Sequence, residues 1–271
     1  MTPQTRKPLL IVAAMHESHV RATIMCCNET NVLMRIRSGG HDYEALSYTA
    51  NIPFVILDTF NLRGIDVNLE DDTAWVEAGV LLGELYYRIA EKRGTELQVL
   101  LEREWHKKNY LKSKSDFVTK AVSKPELEKI FQKMMQLGDI IMQWNPYGGR
   151  MNNISESAVP LPQRAGYLFK IQYIVYWTHD GKANAEQNMQ NSREFYEFMA
   201  PYVTSSPREA FLNYRDLDIG QNPMCNASYA TAKAYNLKYF KGNFERLVKI
   251  KTAVDPTNFF RNEQSIPTLP M

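Results

Sequence analysis

The segment that most constrains this chain is Leu33 to Arg37 running into Ser38-Gly39-Gly40-His41-Asp42-Tyr43-Glu44. Residues of strand character end at a glycine pair and then at a polar cluster. Glycines let successive backbone N–H groups converge on a phosphate without interference from Cβ. The same pattern also reads as a tight turn, because glycine pairs are ordinary turn residues.

The surroundings predict alternating short strands and helices over the first 93 residues. Leu9 to Val12 reads as a buried strand. Val20, Ile24 and Cys27 recur at helical spacing over Glu17 to Cys27, and Pro53 to Leu57 is a second apolar strand. Ile65 to Val67 and Thr73 to Val76 predict a hairpin around Glu70-Asp71-Asp72. Leu82, Leu85, Tyr86 and Ile89 then form one apolar helix stripe. Beyond Gly94, Leu97, Leu100, Leu101 and Trp105 suggest another helix. Lys107 to Lys114, with four lysines, reads as an exposed linker and a solvated charge run. Ser123-Lys124-Pro125-Glu126 is a capping box ahead of an apolar stripe that Gly138 stops.

From Ile140 the pattern turns to strands. Pro146-Tyr147-Gly148-Gly149 is a turn. Leu168 to Trp177 alternates, with Phe169, Ile171, Tyr173, Val175 and Trp177 on one face and Lys170, Gln172, Ile174 and Tyr176 on the other; pattern alone makes the second a solvent face. A helix near Ala185 to Met199, a short strand at Ala210 to Tyr214 and a last helix around Phe244 to Lys251, ended by Asp255-Pro256, complete the reading.

The balance of 32 basic against 30 acidic residues, a formal charge of +2, argues against a nucleic-acid partner. No segment approaches the roughly 20 apolar residues that span a bilayer. Leu9 to Met15 follows Arg6 and Lys7 but is short for a signal peptide, and no address label is visible at Met1-Thr2-Pro3. His16-Glu17-Ser18-His19 lacks the four-residue spacing of a zinc motif and reads as a helix start with Glu17 at the N-terminal dipole. Cys26 and Cys27 are adjacent on a helix, Cys225 is distant, and buried inert thiols are expected. Asn28, Asn153 and Asn226 begin glycosylation sequons, which matter only in a secreted chain.

Several separated stretches together resemble the plant berberine bridge enzyme-like proteins, FAD-linked oxidases of the vanillyl-alcohol oxidase superfamily. They include Ile36-Arg37-Ser38-Gly39-Gly40-His41-Asp42-Tyr43-Glu44, Pro53 to Asp58, Thr73-Ala74-Trp75-Val76 with Gly79, and Asn145-Pro146-Tyr147-Gly148-Gly149. Phe211-Leu212-Asn213-Tyr214-Arg215-Asp216-Leu217-Asp218 and Asn258 to Pro267 continue the series. The resemblance implies an α+β fold: an incomplete FAD-binding domain of that superfamily with the remnant of an antiparallel-sheet substrate domain under covering helices. It divides the chain at 1–93 and 206–271 for the FAD-binding part and 94–205 for the substrate part.

By the same resemblance, FAD is the cofactor, bonded covalently through His41. Arg37, Ser38, Gly39 and Gly40 match the loop at its pyrophosphate, and Asn213 is carried over as cofactor-binding. Tyr43 and Tyr214 match active-site positions. Gln172 stands where some members carry a catalytic glutamate, and its amide cannot act as a carboxylate base. Lys170 matches a lysine that supports the tyrosine. A cation beside a phenol favours phenolate, below the usual value of about 10. The expected reaction is oxidation of a small alcohol, phenolic alcohol or carbohydrate, a small-molecule substrate.

The match stops near Lys92 and resumes near Tyr110. Complete members carry there a long stretch with a cysteine-bearing FAD loop and several substrate-domain strands. No second, cysteinyl flavin link is therefore expected, and strand edges and apolar surface should be left uncovered. The alternative expectation is a non-catalytic, truncated member or interaction protein without stable flavin. The family is typically secreted or in the cell wall, whereas this chain shows no signal peptide.

Overall fold

Phe54-Val55-Ile56-Leu57-Asp58 is an unbroken apolar run ending in a carboxylate, the pattern of a strand covered on both faces. In the computed structural model it is the central strand of a sheet, and all five residues are buried. The structure describes residues 5–95, 97, 101, 109–178, 181–223 and 228–269. It divides into two compact units, Met1–Lys107 and Lys108–Met271. The expected helix over Leu97, Leu100, Leu101 and Trp105 falls largely outside the described residues, as do Cys225 and Asn226.

In the first unit, β1 (Leu10–Ala13), α1 (Glu17–Glu29), β2 (Leu33–Arg37) and β3 (Phe54–Asp58) form a parallel sheet in the order β1-β3-β2. Leu10 stands opposite Val55, and Leu33 opposite Phe54. His16 caps α1, its ring accepting from Ser18 N at 3.2 Å, with Glu17 in the first turn as expected. The hairpin forms as β4 (Ile65–Asn68) and β5 (Thr73–Val76), and the amphipathic stripe as α2 (Leu82–Lys92).

Burial differs from the sequence reading at two places in this unit. β1 is a strand but not a buried one: it lies at the sheet edge, with Leu10 and Ile11 about half exposed. Cys27 is buried, whereas Cys26 is exposed. Trp75 on the hairpin is 84% exposed, and no residue of α2 is buried.

The second unit is built on an antiparallel sheet of β6 (Tyr110–Val118), β7 (Ile140–Pro146) and β8 (Phe169–Trp177), in the order β6-β8-β7. The capping box and Gly138 bound α3 (Lys124–Leu137), and α4 (Lys182–Phe198) follows β8. Ile171, Tyr173 and Val175 pack with Ile130 of α3 and Phe195 of α4, so the first face of β8 is the core face. A second apolar cluster joins α5 (Tyr229–Phe240) to α6 (Asn243–Val254) through Tyr235, Tyr239, Phe244 and Val248. α5 has no counterpart in the sequence reading. Among the described residues no helix is long and apolar enough to cross a membrane.

Two expectations are overturned here. The lysine run is not a solvated linker: from Tyr110 it is strand β6, and Lys112 and Lys114 are buried. Lys114 Nζ lies 2.8 Å from Asp216 Oδ2 and 2.7 Å from Asp218 Oδ2, and Lys112 Nζ lies 2.7 Å from Asp216 Oδ1. Buried charges are tolerated only when paired in this way. The short strand expected at Ala210 to Tyr214 is instead a 3₁₀ turn, Leu212–Tyr214. Its chain is held by the Ser115 side chain, which accepts from Phe211 N at 2.9 Å, rather than by a strand ladder.

Candidate active site

In the first unit the glycine loop leaves β2 beside the end of β3. Arg37 does not point its charge outward: its guanidinium pairs with Asp58, with Nε 3.0 Å from Oδ2. Asp58 Oδ1 also accepts from Phe60 N at 3.0 Å, so this carboxylate ties the ends of the two strands together. Ser38 Oγ donates to the Ala78 carbonyl. A Cβ on Gly39 would lie 3.1 Å from Cδ2 of the exposed His41 ring, and Gly40 has φ +72°, a conformation that favours glycine. Beyond the loop, Asp42 Oδ1 accepts from Glu44 N and Leu46 N at 3.0 and 3.2 Å, a local turn that fixes the chain between His41 and Tyr43.

Among the described residues the backbone N–H groups of Gly39, Gly40 and His41 donate to no protein acceptor. Consecutive unspent donors in a glycine loop are what an oxyanion needs. The donor set therefore fits a pyrophosphate, with backbone N–H groups rather than Arg37 as its ligands. The His41 side chain is exposed and, among the described residues, makes no hydrogen bond.

In the second unit the other face of β8 carries Lys170 and Gln172. Register places Phe117 opposite Lys170, Ser115 opposite Gln172 and Ser113 opposite Ile174 on β6, with Asn145 and Gln143 opposite the first two on β7. This is not the solvent face that pattern alone suggested. Gln172 is 1% exposed and Ile174 is buried. Gln172 Nε2 donates to Ser113 Oγ at 2.9 Å.

The 3₁₀ turn brings Phe211 and Tyr214 over Lys170. The ammonium sits 3.8 Å from the Phe211 ring centroid and 4.7 Å from that of Tyr214, and the two rings meet edge to face at 5.1 Å. Burial lowers the Lys170 pKa. Asn213, in the same turn, is exposed. The structure therefore brings Lys170 and Tyr214 together, with Gln172 two residues along the same face. Arg37, Ser38, Gly39, Gly40, His41 and Tyr43 belong to the first unit.

Sequence reasoning missed Ser113 and Ser115, which hold Gln172 and the Tyr214 turn. It also missed a role for Tyr147, whose ring meets Phe117 edge-on at 5.8 Å. Burial raises the Tyr147 phenol, the Arg164 charge pulls it down and Tyr214 pushes it up. The signal that finds these residues is strand register, not local composition.

Two family models match the chain: the FAD binding domain over residues 8–99 and "Berberine and berberine like" over residues 210–267. The first contains the glycine loop and His41, the second Asn213 and Tyr214; Lys170 and Gln172 lie in neither. Berberine bridge enzyme-like 14 of Arabidopsis thaliana is 31% identical, over 97% of this chain and 85% of the relative. The chain belongs to the berberine bridge enzyme-like family.

Tetrahydroberberine oxidase of Berberis wilsoniae is 29% identical, over 98% of this chain and 86% of that protein. Among solved structures, Phl p 4.0202, described as a glucose dehydrogenase, superposes with a TM-score of 0.91 at 26% identity, over 100% of this chain and 92% of that one. A berberine bridge enzyme variant superposes with a TM-score of 0.91 at 20% identity, which shows the shared α+β fold. The alignment to the first Arabidopsis relative runs over 450 positions against 271 residues here. At least 179 positions (450 − 271) therefore have no counterpart in this chain. Membership makes the protein one of an FAD-binding oxidoreductase family, and the loop's unspent N–H donors agree with it.

Proposed function

We propose that the chain is an FAD-dependent oxidoreductase that oxidises a small alcohol, phenolic alcohol or carbohydrate. Bound FAD supplies the hydride acceptor. His41, exposed and without a hydrogen-bond partner among the described residues, is the residue that would tether it covalently, and Gly39 to His41 would hold its pyrophosphate through backbone N–H groups.

The observation that carries this reading is the Lys170 ammonium 4.7 Å from the Tyr214 ring centroid. Among the described residues Lys170 makes no ion pair with a carboxylate, so its charge is spent on the two aromatic rings. A half-buried cation there favours the anionic form of a neighbouring phenol. Tyr214 would then take the proton of the substrate hydroxyl, the role for which Tyr43 is the other candidate. Gln172 is held by Ser113 and serves as a polar contact, since an amide cannot remove that proton. The glucose dehydrogenase description of a structural neighbour fits a carbohydrate or alcohol substrate.

Flavin reduction measured across pH in wild type and Tyr214→Phe tests the assignment. The variant should react more slowly and lose the low-pH limb of the profile, where protonation of the phenolate would switch off the base. An unchanged rate and profile removes Tyr214 from the role.

The exposed apolar side chains of the first unit, Leu10, Ile11 and Trp75, favour a second reading, a chain that keeps family sequence without stable flavin. Purified protein that is colourless and gains no flavin absorbance on incubation with FAD would establish that reading.

A further inference from the structure

One buried cation near this face is used by none of these steps. Arg164 is 6% exposed, in the connection that leads from the 3₁₀ turn Gly149–Asn153 into β8. Among the described residues it pairs with no carboxylate. Its side-chain hydrogen bond among those residues runs from Nη1 to Met151 Sδ at 3.0 Å, and a thioether is a weak acceptor. Its Nε is sealed from solvent without a partner, whereas Nη2, equally without a protein partner, is not sealed. Other buried or partly buried cations of this unit are answered by acids: Arg208 by Asp116, and Lys112 and Lys114 by Asp216. An arginine cannot shed its charge, so leaving it buried without an anion is costly.

Its position gives that charge a direction. Arg164 acts electrostatically on the Tyr147 phenol, and so does Tyr214. Tyr147 packs against Phe117, which stands opposite Lys170 in the sheet. Among the described residues Arg164 and Lys170 are thus two cations without carboxylate partners, linked electrostatically through two phenols.

We propose that Arg164, together with Lys170, forms an oxyanion subsite, so that the substrate is a small hydroxylated molecule that also carries a carboxylate or a phosphate ester. The assignment rests on reading the Lys170–Tyr214 face as the substrate face. With Nη1 turned to Met151 and Nε sealed, the guanidinium meets either group through a single charge-assisted contact. Nη2 offers the first contact, and Lys170 supplies a second positive charge.

The test is calorimetric binding of D-glucose, D-glucuronate and D-glucose 6-phosphate to the full chain, with flavin absorbance recorded on the same samples. At least one anionic sugar should bind about tenfold or more tighter than glucose, with a preference that shrinks in salt. Arg164→Gln should abolish the preference and Arg164→Lys should keep part of it. If Arg164→Gln does not fold, the wild-type comparison and its salt dependence still decide. Equal binding of the three sugars, no detectable binding of the anions, or a preference that survives in folded Arg164→Gln overturns the subsite. Preference for one anion over the other tells carboxylate from phosphate ester. Colourless protein that still selects anions rejects the flavin role alone. Yellow protein without selection rejects the subsite alone.

Discussion

Replacing Lys114 with methionine exposes how the second unit is held together. Lys114 is 1% exposed, and its ammonium lies within 2.8 Å of both Asp216 and Asp218. Methionine fills most of the same volume, so the loss is electrostatic rather than a cavity. Removing one partner of a buried ion pair costs about 3–5 kcal/mol, because the other charge stays buried without compensation. Here Asp216 keeps Lys112 at 2.7 Å and Asp218 keeps Arg193 at 2.9 Å, which places the cost near the lower end, about 3 kcal/mol. For a unit of this size that is roughly 6–12 °C in Tm. Urea unfolding followed by tryptophan fluorescence reports on it, since Trp144 packs against Phe169 within the same sheet. A cycle with Asp216→Asn should show coupling of about 1–3 kcal/mol. A cost below about 1 kcal/mol, or strict additivity, would refute the claim that this cluster is a paired, buried network.

Two further outcomes follow from particular contacts. A Cβ at position 79 would sit 1.9 Å from the Thr59 carbonyl oxygen and 2.8 Å from that of Leu62, so Gly79→Ala should destabilise the first unit by about 3 kcal/mol or more, read as faster limited proteolysis near the loop. Burial pushes the Asp218 carboxyl up, but hydrogen bonds from Arg193 and Lys114 and the charges of Lys114 and Lys112 outweigh it and hold the group well below the usual carboxylate range. A lowered folded-state pKa gives stability that is present above the unfolded value near about 4 and is lost as pH falls through the folded one. Acid titration of unfolding free energy should therefore show a loss below about pH 4 that is reduced in Asp218→Asn.

The features legible in the sequence were those whose cause is local. The hairpin about Glu70-Asp71-Asp72, the capping box at Ser123 and the alternation from Phe169 to Trp177 all formed where spacing placed them. Lys112 and Lys114 were misread because the acids that neutralise them lie about a hundred residues further along the chain. The face of Gln172 was misread for a related reason, since Ser113 and the Phe211–Tyr214 turn reach it only after the sheet has assembled. β1 shows the opposite error: an apolar run predicts burial, but burial also needs a neighbour, and β1 stands at an edge. At the candidate site, Lys170 beside Tyr214 followed from family resemblance and is seen in space, whereas Arg164 emerged only from its burial without an acid.

The proposed function turns on whether FAD, once bound, is tethered to His41. Full chain produced with FAD present, denatured, separated by gel electrophoresis and viewed for flavin fluorescence tests it most directly. The account predicts a fluorescent band at the mass of the chain, 31.3 kDa, that disappears in His41→Ala. A dark wild-type band, or one that stays fluorescent in His41→Ala, contradicts it.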